Sequence, residues 1–257
     1  MLITAAIVVY NNDTILLQKA INSFLDTTID VKLFIIDNSP KDVLRTLVLD
    51  SRIKYIFNNK NLGFGKAHNI GISEAKRLNA DYHLILNPDV YFARTEFDKI
   101  VNFMDANKEF GLLMPKVLYP DGKLQFLCKK SPSISILILR RFMPFFIQKM
   151  FKNKLDKYEY RDHNYDTNII DVPYLSGCFM FFRVNTLSKV NGFDEDIFMY
   201  MEDADITLRT LKHSHTIYYS EAYIYHNYEK GSYKNFKLML YNIHGAVVYF
   251  NKWGWKL

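Results

Sequence analysis

Short apolar runs alternate with longer amphipathic segments through the first third of the chain. The pattern predicts strands over residues 5–10, 31–37, 53–57 and 82–87, and helices over residues 14–25, 41–49 and 65–78 between them. The strands are apolar at nearly every position, as in a sheet covered on both faces, so the fold class is α/β: a Rossmann-like, mostly parallel sheet flanked by helices. Beyond residue 90 the alternation fades. A strand is predicted over residues 112–117, a hairpin turn over 119–123, and a strand pair or one continuous strand over 172–183.

Polar residues stand where the early strands end. Tyr10-Asn11-Asn12, Asp37-Asn38-Ser39, Asn58-Asn59 and Asn87-Pro88-Asp89 each follow an apolar run directly. In a parallel sheet those ends share one rim, and ligands sit beyond it. Asp37 and Asn38 offer a carboxylate and an amide suited to a nucleoside, although Asx turns use the same residue types. The loop Asn61-Leu62-Gly63-Phe64-Gly65-Lys66, followed by a helical pattern, can present N–H groups and a lysine to phosphate. It is neither a Walker loop nor a dinucleotide fingerprint, because His68 stands where the third glycine of that fingerprint belongs. Asp89, on a proline-stiffened turn, is a candidate ligand for a hard divalent cation, which needs only one or two protein carboxylates when a diphosphate and water supply the rest.

The segment from Gly192 to Arg209 places six carboxylates among apolar and aromatic residues. If Glu202 opens a helix, Asp203, Ile206 and Arg209 share one face and the acids favour the helix N-terminus. Capping and a solvated acidic face account for the same pattern, so other segments must decide. Asp205 and Arg209 have the spacing of an i, i+4 ion pair. Ser176-Gly177 would let a substrate approach the backbone.

The 257 residues and net charge of +6 imply one large core and anionic partners. Cys128 and Cys178 lie 50 residues apart with no CxxC partner, so reduced, buried thiols are expected and neither a disulfide framework nor a zinc site is implied. The apolar first ten residues lack the basic start and cleavage site of a secretory signal and are expected to form a buried strand of a cytoplasmic protein. No nucleic-acid-binding motif is found. Residues 134–154 are apolar but interrupted by Pro144 and Arg140-Arg141, so they cannot span a bilayer. With Arg140, Arg141, Lys149, Lys152 and Lys154 they fit an interfacial anchor on anionic lipid, or an apolar excursion packed on the core or a dimer interface.

Taken in order, the rim residues, Asn87-Pro88-Asp89, Ser176-Gly177 and Glu202-Asp203-Ala204-Asp205 resemble family 2 of the nucleotide-sugar glycosyltransferases, over about residues 3 to 230. The bacterial rhamnosyltransferases of O-antigen and cell-wall polysaccharide assembly are the most similar subgroup. The resemblance implies a GT-A fold, inverting transfer from a nucleoside diphosphate sugar, and Mg2+ or Mn2+. By position, Asn87-Pro88-Asp89 matches the metal motif with Asn87 in place of its first acid, which leaves Asp89 as the chief ligand. Asp37 matches the residue at the nucleoside, Asp203 the catalytic base, and His226 a late metal or diphosphate ligand. Tyr10, Asn11, Asn38, Asn61, Gly63, Lys66 and Asn87 are the accompanying nucleotide-side candidates; Glu202, Asp205, Arg209, Ser176 and Gly177 are acceptor-side or supporting ones.

The expected organisation is a GT-A domain over residues 1–230, with the amphipathic excursion at 130–160, and a helical tail over 231–257. The expected partners are a dTDP- or UDP-linked sugar, a polyprenyl diphosphate-linked glycan and an anionic membrane surface, on the cytoplasmic face of the inner membrane; nucleic acid is not expected. The first expected donor is dTDP-L-rhamnose, with UDP-sugars behind it. A glycoside hydrolase would need Glu202 and Asp203 to flank one bond, but adjacent helix residues point about 100° apart. A nucleotidyltransferase would carry a glycine-rich basic loop after the first strand, where this chain has Tyr10-Asn11-Asn12-Asp13. A membrane-associated scaffold that lost catalysis would have no need of Asp89 and Asp203. Residues 249–256 fit either a second interfacial contact or a helix end packed on the core.

Overall fold

The computed structural model of the chain describes residues 1–228 and 236–256. Four parallel strands form one half of the sheet: β1 (Leu2–Val9), β2 (Asp30–Asp37), β3 (Ile53–Phe57) and β4 (Tyr82–Leu86), in the order β3-β2-β1-β4. Helix α1 (Thr14–Leu25) starts where the Asp13 carboxylate accepts the N–H groups of Ile15 and Leu16. It buries Leu17, Ala20, Ile21, Phe24 and Leu25, the helical repeat read from the sequence. Helix α2 (Phe64–Arg77) returns the chain from β3 to β4.

The predicted helix over residues 41–49 is absent. Only a single 3-10 turn forms, Arg45–Leu47. Lys41, Asp42, Val43 and Arg45 face solvent, Leu44 is buried and Val48 packs only partly on the core, which is little apolar stripe for a helix to bury. The Asp42 carboxylate is also engaged elsewhere, accepting from Tyr55 Oη at 2.9 Å and Arg45 Nε at 2.8 Å.

After the short strand β5 (Val90–Tyr91) and helix α3 (Arg94–Ala106), strand β6 (Phe110–Leu118) enters the far half of the sheet. The 119–123 turn forms as predicted, with the Tyr119 N–H donating to the Lys123 carbonyl at 2.7 Å. Residues 130–160 form three short helices, α4 (Ile134–Phe142), α5 (Phe145–Met150) and α6 (Lys152–Tyr158). Strand β7 (Ile169–Ile170) is followed by β8 (Phe179–Arg183), α7 (Val184–Val190), α8 (Glu202–Leu211), β9 (His215–His226) and α9 (Phe236–Trp253).

The expected strand over 172–183 is therefore confined to β8. Upstream of it the backbone donors are drawn to side chains of α8: the Leu175 N–H reaches Thr207 Oγ1 at 3.4 Å and the Gly177 N–H reaches Asp203 Oδ2 at 3.1 Å. β8 lies between β4 and β6 and is antiparallel to both, β6 and β9 pair in parallel, and β5 closes the edge antiparallel to β9. The boundary expected between a catalytic domain and a tail, residues 230 and 231, lies outside the described residues.

Candidate active site

Strand register assembles the rim. Val9 pairs with Asp37 and Asp37 with Phe57, so the ends of β1, β2 and β3 lie side by side. Asp37 is fully buried; its carboxylate accepts the Ser39 N–H at 2.7 Å and Tyr55 Oη at 2.5 Å. Burial, then the hydrogen bonds to Asp37 and Asp42, raise Tyr55 far above the usual phenol range, so it stays a donor. Asn38 donates to the Gly63 carbonyl at 3.1 Å and to Asn61 Oδ1 at 3.4 Å, and accepts from Asn58 Nδ2 at 2.9 Å. Asn11 takes φ +52° and donates its N–H to Ser39 Oγ at 3.0 Å, while Tyr10 is half exposed at the lip.

Gly63 is required by geometry. Its φ is +85°, and a Cβ there would lie 2.3 Å from the Phe198 carbonyl oxygen, which the Phe64 N–H reaches at 2.9 Å. This contact fastens the loop before α8 to the start of α2. Lys66 pairs with Glu195 at 2.8 Å, both half exposed. His68 is buried against Phe64 and Phe193, and burial holds it neutral.

Two further strand pairings build the chemistry. The Asn87 N–H donates to the Cys178 carbonyl at 2.9 Å as β8 enters beside the end of β4, which brings Gly177 to the rim, and Gly177 N–H then holds Asp203. A Cβ on Gly177 would meet Asp203 Cβ at 3.4 Å and the Phe64 ring at 3.5 Å, so this strand end, α2 and α8 converge. Ser176 Oγ accepts from the Cys178 N–H at 3.5 Å. On the other side Val90 pairs with His226, and the Asn227 N–H donates to the Asp89 carbonyl at 2.9 Å. That pairing sets His226 Nε2 3.5 Å from Asp89 Oδ2.

His226 is oriented from behind. Gln125 is buried, and its amide Nε2 donates to the His226 carbonyl at 2.8 Å, which leaves Oε1 facing His226 Nδ1 at 3.0 Å. A carbonyl oxygen only accepts, so Nδ1 carries a proton and Nε2 is the atom aimed at Asp89. Burial pushes His226 down, but the Cys178 sulfur and the Asp89 carboxylate outweigh it and raise the imidazole to about 10. Among the described residues no group of three or more His, Cys, Asp or Glu could hold a metal. One carboxylate beside one oriented imidazole fits a hard cation whose other ligands are diphosphate oxygens and water once the cation displaces the proton that the Asp89 charge favours on Nε2.

The first turn of α8 divides its acids. Asp203 is half-buried, with Oδ2 on the Gly177 N–H and Oδ1 on the Ala204 N–H at 3.0 Å. Glu202 is buried and among the described residues its Oε2 has no partner; burial, reinforced by the Asp203 charge, raises its pKa well above the usual carboxylate value. Asp205 is fully buried and accepts from Arg209 at 2.7 Å, Trp253 Nε1 at 2.9 Å and Lys252 at 2.9 Å. The anticipated Asp205–Arg209 pair is thus present, and it clamps α9 to α8. Gly245 completes the clamp, since a Cβ there would lie 2.4 Å from the Tyr200 carbonyl oxygen. Tyr249 and Phe250 are buried, so the end of α9 packs on the core.

A family model for glycosyl transferase family 2 matches residues 4–190. The chain belongs to that family. Two relatives are rhamnosyltransferases. The N-acetylglucosaminyl-diphospho-decaprenol L-rhamnosyltransferase of Mycobacterium tuberculosis (strain CDC 1551 / Oshkosh) is 26% identical over 60% of this chain and 52% of its own length. The rhamnosyltransferase WbbL of Escherichia coli (strain K12) is 28% identical over 57% of this chain and 53% of its own. The chain spans about half the length of these curated relatives.

Solved structures agree on the architecture. TarS residues 1–349 of S. aureus superposes with a TM-score of 0.59 at 17% identity, over 95% of this chain and 65% of that one. The mannosyltransferase PcManGT of Pyrobaculum calidifontis, in complex with GDP-Man and Mn2+, gives 0.61 at 14% identity, over 97% and 63%. The family 2 chain therefore has the GT-A fold expected from its sequence.

Sequence reading missed Tyr55 and Gln125. Each is an ordinary residue in a strand or hairpin pattern, and only long-range contact gives it a polar task.

Proposed function

We propose that this family 2 chain is an inverting glycosyltransferase that moves a sugar, L-rhamnose from dTDP-L-rhamnose as first choice, onto a polyprenyl diphosphate-linked glycan in bacterial surface polysaccharide synthesis. The observation that carries the reading is the convergence of two unlike acidic centres on one rim: Asp89 facing His226, and Asp203 held open by Gly177.

The roles follow from position. Tyr10, Asn11, Asp37, Asn38 and the Asn61–Gly63 turn shape a nucleoside pocket, with Asp37 fixing the loop from within. Asp89 and His226 would hold Mg2+ or Mn2+, which would neutralise charge on the departing diphosphate. Asp203, half-buried with its oxygens on backbone N–H groups, accepts the proton of the attacking acceptor hydroxyl. The small Gly177 leaves space beside Asp203 for that hydroxyl.

Association with the cytoplasmic face of the inner membrane belongs to the same proposal. No helix among the described residues is long and apolar enough to cross a membrane. Helices α4 to α6 nonetheless expose Phe142, Phe145, Phe146 and Met150 beside exposed Lys149, Lys152 and Lys154, the composition of an interfacial anchor. Phe236, Leu240, Ile243 and Val247 form an exposed apolar line along α9.

Calorimetric titration with dTDP, UDP and GDP, each with and without Mn2+, tests the reading. Metal-enhanced binding of dTDP supports it, a preference for UDP moves the donor to a UDP-sugar, and no binding of any nucleotide sinks it.

A further inference from the structure

Three polar groups with no assigned task, Lys129, Tyr158 and Tyr174, lie within reach of the Asp203 charge. Lys129 is half-buried, its Nζ 4.4 Å from the centre of the Tyr174 ring, and its backbone is tied to Tyr174 by an N–H to carbonyl bond of 2.9 Å. Among the described residues no carboxylate pairs with it. The rings of Tyr174 and Tyr158 are buried, while neither hydroxyl has a hydrogen-bond partner or is sealed from solvent among the described residues. The next cation, Arg140, is paired with Glu159 at 2.8 Å and lies over the Tyr158 ring.

These side chains share one field. Burial lowers the Lys129 ammonium and Arg140 adds to that, while Asp203 and Glu159 act the other way. Burial likewise raises Tyr174, with the charge of Asp203 next in effect, so both phenols stay protonated donors. The Lys129 ammonium over the Tyr174 ring forms no ion pair among the described residues, and the protonated Tyr174 phenol beside it can donate, so an incoming anion would meet a cation and a hydroxyl donor. Residues 129–133 lead directly into α4, whose Ile138 and Phe142 are exposed. An anion docked here would have an apolar path leading away from it.

We propose that Lys129, with Tyr158 and Tyr174, binds a phosphoryl oxygen of the acceptor's diphosphate linkage, one sugar ring from the hydroxyl that Asp203 deprotonates; this rests on the reading of Asp203 as the acceptor-side base. The lipid then leaves over α4. Charge-assisted contacts of this kind are the strong ones.

The test needs no turnover. Binding of farnesyl diphosphate and of farnesol is measured on the full chain and on Lys129→Met, which keeps the apolar stem over Tyr174, and Lys129→Arg, which keeps the charge. The wild type should prefer farnesyl diphosphate, Lys129→Met should lose roughly tenfold or more of that affinity without changing farnesol binding, and Lys129→Arg should retain most of it. Equal affinity for the two lipids, or undiminished binding by Lys129→Met, overturns the proposal. A loss of nucleoside diphosphate binding in Lys129→Met also overturns it, because the phosphate would then be the donor's. Intact farnesyl diphosphate binding with no nucleotide binding would instead sink the transferase reading and leave this site standing.

Discussion

The two sides of the rim are built on opposite principles. On the nucleotide side, polar groups emerge from adjacent parallel strands and satisfy one another: Asp37 with Ser39 and Tyr55, Asn38 with Asn58 and Gly63. On the proposed acceptor side, Glu202 Oε2 has no partner and Lys129 no counterion among the described residues, and α5 exposes Phe145 and Phe146. Buried polar groups left unpaired cost free energy, so they persist where a ligand completes them. The first side is preorganised, and in the proposed reading the second is finished by what binds it.

Within α8 the contrast narrows to two acids two residues apart. Asp203→Asn should lower transfer by about 10²- to 10⁴-fold while leaving nucleotide binding and melting temperature unchanged; lost nucleotide binding would make Asp203 a ligand or a structural residue. Asp205→Ala should do the reverse, costing about 3–5 kcal/mol of stability by stranding Arg209 and releasing Trp253. A denaturant titration reads that change, and an unaltered midpoint would remove Asp205 from the clamp.

Asp89→Ala probes the nucleotide side. It should weaken Mn2+-dependent nucleotide binding by about 10- to 100-fold with little effect when Mn2+ is withheld, and equal losses in both conditions would assign Asp89 a purely structural part. Replacing Lys149, Lys152 and Lys154 by Ser tests the open side. Each lysine near an anionic surface contributes about 1 kcal/mol, so sedimentation with phosphatidylglycerol vesicles should fall several-fold per charge. Undiminished sedimentation would leave the exposed face to a protein partner.

The smallest effect is expected at Glu202. Its folded pKa lies above the unfolded one, so the native state binds more protons between the two, and stability falls as pH rises from about 4.5 towards the folded value. Glu202→Gln should flatten that slope and raise the melting temperature at pH 8 by about 2–4 °C. An unchanged slope would mean that Glu202 is ionised in the native protein.

How much of this was legible depends on the range of the interaction. Alternation of apolar and polar runs determined the strands and helices of the first ninety residues, because burial on both faces of a parallel sheet acts on neighbouring residues. The predicted helix over 41–49 failed because composition alone does not show that its side chains face water and that Asp42 serves Tyr55. The candidate rim residues were visible because strand ends and turn residues coincide in sequence.

The sequence by itself determined the fold class and which residue types stand at the strand ends. Only the tertiary structure decided that Gly177 holds Asp203, that Gln125 aims His226 at Asp89, and that Lys129 lies over Tyr174 with no counterion among the described residues. Local pattern records burial, which each residue experiences with its immediate neighbours. Pairings such as β4 with β8 or β5 with β9 join residues about 100 or more positions apart, and their register is set by the packing of the whole sheet.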